Sequence, residues 1–305
     1  MSMILRVPFP LHPRLLAPDV DGIRRTICCH RSVFSGAHAP NSTAAIRECV
    51  ERAVPRMEID VWFLADDAML VFHDDVLDHE TSASGPVEEQ TRQSVADLRY
   101  RTGEPVAFLE AVVDEVRRGQ TRLQVDLKPM GLLTAGQAGL LVRALEPIAD
   151  RVLVGSQAHW NLRPLAQAGI PIAFDPMLHW HAAPWAAEAN LGPLRMGRHG
   201  LWDDGPLAFM AGVDDAGYVA SRIDDLLALV PAVEWMVDYR TLLHLDALGC
   251  SLGELLRQRG VELAAWTIKD RGPTETAALA RKMFDIGATT IITDAPLSLA
   301  GYLSG

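Results

Sequence analysis

With 305 residues the chain is longer than one small domain needs and matches one large α/β barrel or two ordinary domains. A composition of 49% hydrophobic and 22% charged residues, with a mean hydropathy of +0.10, excludes a disordered chain and a collagen-like or low-complexity polymer. The balance of 28 Lys and Arg against 39 Asp and Glu gives a net charge of −11, a field that repels nucleic acid and anionic membrane surfaces, so any anionic substrate needs local help from a metal ion or a few placed cations.

In chain order, residues 1–18 are apolar but broken by Arg6, Pro8, Pro10, Pro13 and Arg14, so no signal peptide is expected. Nowhere do 18 apolar residues run together, and no membrane span is expected either. β-branched runs then alternate with amphipathic stretches. Strands are predicted at 26–30, 56–63, 122–128, 151–155, 170–174, 234–238, 261–268 and 289–293. Between them lie helical patterns at 43–52, 107–116, 135–145, 162–168, 221–229, 252–259 and 273–285, with a last one at 297–303; Ser42 is the expected N-cap of the first. Eight strands alternating with helices predict one (β/α)8 TIM barrel spanning 1–305 as a single domain, with a doubly wound open sheet as the competitor.

Two segments interrupt the alternation. Residues 69–73 read as an extra strand of a hairpin excursion after the second strand, an insertion of about 65–105 that includes the polar stretch 77–100. After the fifth strand a long irregular loop is expected over 175–218, holding Trp180, Trp185 and Trp202 and placed by barrel topology on the catalytic face. The four cysteines, Cys28, Cys29, Cys49 and Cys250, match no zinc spacing. Adjacent in a strand, Cys28 and Cys29 point to opposite faces and cannot readily bridge, so reduced, buried thiols and a cytoplasmic location are expected.

The chemistry concentrates at strand ends. Glu58 and Asp60 share one face of the second strand, and Asp126 with Lys128 repeats that spacing on the third. Two carboxylates facing a barrel interior repel and are poorly solvated; a divalent cation or a buried arginine compensates them. Three oxygen donors without a soft sulfur ligand suit Mg²⁺ or Ca²⁺ better than zinc. His30 ends the first strand and His73 the hairpin strand, and two imidazoles can divide the proton transfers of one reaction near neutral pH. Arg31 and Lys128 supply fixed positive charge suited to a phosphate oxygen. One metal, two histidines and two cations describe phosphodiester cleavage better than sugar or acyl chemistry. An amidohydrolase fits less well, because the only His-x-His is His179-Trp180-His181, in an irregular segment.

The ordered set His30-Arg31, Pro40-Asn41-Ser42-Thr43, Glu58-Ile59-Asp60, Val71-Phe72-His73-Asp74, Asp126-Leu127-Lys128, Trp266-Thr267-Ile268 and Ile291-Ile292-Thr293-Asp294-Ala295-Pro296 resembles the motifs of the glycerophosphodiester phosphodiesterases. That superfamily also includes sphingomyelinase D-like enzymes, whose Asp-x-Lys is similar to Asp126-Leu127-Lys128. The resemblance runs from about 26 to 303. It implies a barrel with one divalent cation, His30 and His73 as the acid/base pair, and Glu58, Asp60 and Asp126 as metal ligands. Arg31 and Lys128 would hold the phosphate, with Trp266 on the pocket wall. The implied reaction is metal-dependent hydrolysis of a small-molecule glycerophosphodiester to an alcohol and glycerol 3-phosphate, through a cyclic phosphate. A lysophospholipase D or sphingomyelinase D-like lipid phosphodiesterase, and an inactive barrel that binds phosphodiesters, are the alternatives. The family pattern that the resemblance implies usually has Gly where this chain has Ser32, Pro-Glu-Asn-Thr where it has Pro-Asn-Ser-Thr, and Glu where it has Asp126.

Overall fold

The computed structural model describes residues 11–20, 23–182 and 194–304. Eight parallel strands close on themselves in chain order: β1 (Ile23–Cys29), β2 (Arg56–Phe63), β3 (Arg122–Leu127), β4 (Val152–Ser156), β5 (Ile172–Phe174), β6 (Glu234–Asp238), β7 (Glu262–Ile268) and β8 (Thr290–Thr293). β8 pairs with β1 and β1 with β2, which completes the ring. The crossovers carry α1 (Thr43–Glu51), α2 (Leu109–Val116), α3 (Ala135–Leu145), α4 (His159–Gln167), α5 (Asp215–Leu227), α6 (Tyr239–Ala247), α7 (Leu252–Arg257) and α8 (Pro273–Asp285), and α9 (Pro296–Ser304) follows β8. This is the expected (β/α)8 barrel.

Strand alternation sorts the side chains. On β2, Met57, Ile59 and Val61 face outward into the main core, while Arg56, Glu58 and Asp60 are buried on the other face. On β3, Leu123, Val125 and Leu127 belong to the same outer core. The helices lie against it through stripes such as Leu109, Val112, Val113 and Val116 of α2. Ser42 caps α1 as expected, its side chain accepting from the Ala45 N–H, and Thr134 with Gln137 forms a capping box on α3. Inside the barrel, Cys28, Leu153, Ala173, Met236, Ala264 and Ile292 form a separate apolar cluster. Gly155 belongs to this narrow interior, where a Cβ would collide with the Met236 side chain. Cys28 lies in the inner cluster and Cys29 in the outer core, so the two thiols do point apart, and all four cysteines are free.

The floor of the barrel is ionic. The Arg56 guanidinium donates to both Glu234 oxygens at 2.6 and 2.7 Å, to Gln124 Oε1 at 2.5 and 3.1 Å, and to Thr290 Oγ1 at 3.3 Å, all buried.

The insertion after β2 is a hairpin in which Met69–Val71 runs antiparallel to β2 and Ala107–Phe108 pairs with it in turn. A second small core under it joins Leu70, Phe72, Leu77, Val87, Tyr100 and Val106. The first two residues of the helix expected over 107–116 are therefore strand. After β5, the segment expected as irregular carries a three-stranded antiparallel sheet of Trp180–Ala182, Leu201–Asp203 and Arg195–Met196, and α5 already starts at Asp215. Trp180 is buried against Trp235, with ring centroids 6.4 Å apart; Trp185 and residues 1–10 lie outside the described residues. Two elements escape the sequence pattern. Leu16–Val20 pairs antiparallel with β1, and α6 starts directly on Asp238, which ends β6 and also caps the helix by accepting from the Arg240 N–H. With no turn residues between strand and helix, nothing in the sequence punctuates the change. Among the described residues no helix is long and apolar enough to cross a membrane.

Candidate active site

Parallel pairing builds the site. The register aligns Glu58 with Gln124 and Asp60 with Asp126, so the carboxylates of β2 and β3 converge at the C-terminal mouth of the barrel. Oxygens of Glu58, Asp60 and Asp126 all lie within 4.8 Å of one another. Three hard donors at this spacing, two of them buried, form a set that suits a hard divalent cation. Burial and the like charge of Asp60 push the Glu58 carboxyl up to about 8, so this corner of the site is short of positive charge. Burial would also raise Asp60, but the Lys128 ammonium and His73 draw it down to about 2. Lys128 Nζ sits between the strands, 2.7 Å from Asp60 Oδ1 and 2.6 Å from Asp126 Oδ2. Those two carboxylates, with Glu58, raise its pKa against the opposing effect of burial.

The chain leaves β1 through a tight turn in which Arg31 (φ 48°) and Ser32 (φ 57°) are left-handed. This turn aims the Arg31 N–H at Glu58 Oε2, 2.7 Å away, and buries Ser32, whose hydroxyl donates to the Glu58 carbonyl at 3.2 Å. Glycine is the residue that adopts such a position most freely; this chain takes it with a serine, whose hydroxyl makes the hydrogen bond. Asn41, also left-handed and fully buried, donates through Nδ2 to Asp60 Oδ2 at 2.7 Å and accepts from the Asp60 N–H at 3.3 Å. The departure from the usual motif thus holds a carboxylate in place.

The two histidines face each other's chemistry from different environments. His30 Nδ1 is 2.5 Å from Asp294 Oδ1, and its Nε2 is 3.9 Å from Glu58 Oε2. Burial lowers the His30 pKa, but Asp294 and Glu58 outweigh it and the net direction is upward. His73 Nδ1 is 2.7 Å from Asp74 Oδ1; burial, with Lys128 and Arg31 adding to it, takes its pKa below the ordinary value. Arg31 reaches Asp60 at 3.8 Å and Glu80 at 3.6 Å.

These groups line one cavity of about 700 Å³ at the strand ends. Of the residues singled out in the sequence, His30, His73, Arg31, Lys128, Trp266, Glu58 and Asp126 line it; Asp60 does not, being buried behind its ion pair with Lys128. Trp180 and Trp202 do not line it. Sequence reasoning missed the far wall, where Asp175, Asp238 and Arg240 stand at the ends of β5 and β6. It also missed the partners Asp294 and Asn41, although both lie inside motifs quoted above. A partner 264 residues away from His30 leaves no local signal.

Comparison with known proteins gives the family and the fold. The model of the glycerophosphoryl diester phosphodiesterase family matches residues 30–191. A glycerophosphodiester phosphodiesterase from Caldanaerobacter subterraneus subsp. tengcongensis is 23% identical over 168 residues, half of this chain and 69% of that protein. Among solved structures, a glycerophosphodiester phosphodiesterase from Parabacteroides distasonis superposes with a TM-score of 0.62 at 18% identity, covering 91% of this chain and 96% of that one. An Oleispira antarctica phosphodiesterase in complex with the product sn-glycerol-3-phosphate gives 0.60 at 16% identity, covering 92% and 96%. The barrel, its mouth and the matched motifs together make this chain a member of the glycerophosphoryl diester phosphodiesterase family, and a phosphoric diester hydrolase.

Proposed function

We propose that the protein hydrolyses glycerophosphodiesters to glycerol 3-phosphate and an alcohol, with a divalent cation, Mg²⁺ or Ca²⁺, held by Glu58, Asp60 and Asp126. The observation that carries the reading is the convergence of His30, His73, Arg31 and Lys128 on one cavity, beside a carboxylate triad. The Oleispira antarctica relative, described with the product sn-glycerol-3-phosphate, supports the choice of substrate. A cation held there would supply neutralisation of the phosphate charge and would make the attacking hydroxyl more acidic. Arg31 and Lys128 hold the non-bridging phosphate oxygens.

His73, kept neutral by burial and nearby cations, takes the proton from the 2-hydroxyl of the glycerol. That oxygen forms a bond to phosphorus while the bond to the alcohol oxygen breaks. His30, kept protonated by Asp294, gives its proton to the departing alcohol. Water then attacks the cyclic phosphate, giving its proton to His30, and His73 returns a proton to the 2-oxygen as the ring opens.

The test is release of glycerol 3-phosphate from glycerophosphodiesters by the purified protein with Mg²⁺ or Ca²⁺ present. Replacing either His30 or His73 with alanine is expected to lower kcat by at least about 10²-fold. A folded double variant that retains near-full turnover removes the two-histidine assignment, and turnover unaffected by exhaustive chelation removes the cation.

A further inference from the structure

The mechanism uses one side of the cavity and leaves the other without work. His30, Arg31, His73 and Lys128 gather around the ends of β1 to β3, where the phosphate is held. Across the barrel, β5 ends in Asp175, which lines the same cavity and is 6% exposed. Its Oδ1 accepts the Met177 N–H at 2.9 Å, and among the described residues no donor reaches Oδ2. The neighbouring acid, Asp238, is already matched: the Arg240 guanidinium contacts its two oxygens at 3.0 and 3.2 Å, and the Arg240 N–H donates at 2.8 Å. Among the described residues, Asp175 therefore remains as a buried carboxyl group with one backbone donor and an open oxygen on the substrate cavity.

We infer that Asp175 is the recognition group of the subsite for the departing alcohol, and that it selects alcohols carrying an ammonium group. The inference rests on the phosphodiesterase reading above and specifies its substrate class. A buried carboxylate is stabilised far more by a full positive charge than by a hydroxyl, because desolvation has removed the water that would otherwise solvate it. An aminoalcohol ester places a cation a few bonds from phosphorus, so phosphate on the cationic side and ammonium on Asp175 satisfy both ends of one zwitterion. Trp266, at the end of β7, lines the same cavity and gives the carbon chain an apolar surface. Burial pushes the Asp175 carboxyl up to about 8, as expected of a site lacking its counter-ion.

The experiment compares glycerophosphoethanolamine with the 2-hydroxyethyl ester of glycerol phosphate, in which a hydroxyl replaces the ammonium group. It measures kcat/KM for the wild type, and Kd by calorimetry on the His30→Ala, His73→Ala double variant. An ammonium preference of about 10-fold or more is expected in both ratios, and Asp175→Asn, which keeps the oxygen that accepts the Met177 N–H, brings each ratio close to one. Equal binding of the two diesters by the double variant overturns the inference, whether or not the Asn variant folds. So does an Asn variant that weakens both diesters alike with their ratio unchanged, since Asp175 then serves the fold or the glycerol end. Preferential binding of the ammonium diester without release of glycerol 3-phosphate by the wild type sinks the hydrolytic reading and leaves the subsite standing.

Discussion

Asp294→Asn isolates the feature that makes His30 an acid. The carboxylate lies 2.5 Å from His30 Nδ1, and its side chain is 41% exposed, so solvent screens the pair in part. Two unit charges about 4 Å apart interact by about 1 kcal/mol in water and about 4 kcal/mol near a protein surface. Asp294 is the largest of the groups that raise the His30 pKa, so loss of its charge lowers that pKa; about 1.5 kcal/mol for this half-screened pair corresponds to roughly tenfold in rate where His30 must hold its proton. The sign follows from its role. His30 must carry a proton in the first step, so activity falls as pH rises through its pKa, and the substitution moves that alkaline limb to lower pH, cutting kcat/KM on the alkaline side by roughly tenfold. The acid limb belongs to His73, which must be neutral, and stays where it is. The assay is kcat/KM against pH, from pH 5 to 9, with the cation saturating and folding checked by circular dichroism. An alkaline limb that does not move in a folded Asp294→Asn protein, or an acid limb that moves instead, refutes the assignment of acid and base.

Two further outcomes follow from the same geometry. Because burial and Asp60 hold the Glu58 carboxyl near 8, binding of Mg²⁺ or Ca²⁺ to chelator-treated protein should release close to one proton at pH 7, and affinity should rise about tenfold per pH unit up to that value; calorimetry in buffers of different ionisation enthalpy reads the proton count, and a count of zero contradicts the ligand role of Glu58. Arg56→Ala leaves Glu234 and Gln124 buried without their cation, at a cost of about 3 to 5 kcal/mol, which should lower Tm by roughly 5 to 10 °C; a Tm within a degree of wild type would show that the floor is solvated or repacks.

Much of this protein is legible in one dimension because strands and amphipathic helices have short periods. Glu58-Ile59-Asp60 declares by spacing alone that two acids share a face, and His30 and His73 announce themselves at strand ends. Closure of the ring is not legible in that way: the pairing of β8 with β1 joins residues more than 260 positions apart. The same distance hides Asp294 from His30, and the register that sets Asp126 beside Asp60 appears only once β2 and β3 are laid side by side. Asp175 and Asp238 read as ordinary acids at the ends of apolar runs. Their meaning comes from burial at a shared mouth, which no local pattern encodes. Ser32 shows the converse: in sequence it reads as a departure from the motif it resembles, yet it is buried and hydrogen-bonded to the Glu58 carbonyl.

The barrel interior is layered. β6 reads Glu234, Met236, Asp238 from floor to mouth, and β8 reads Thr290, Ile292, Asp294, so an apolar ring stands between two charged storeys. That ring is thin and screens little, because Coulomb forces are stronger across an apolar layer than across water. It is also bridged: Gln124, which accepts from Arg56 at the floor, lines the cavity at the mouth. Catalytic tuning and thermal stability are thereby coupled within a single column of side chains, so a change of charge at the mouth is felt by the ion pair that supports it.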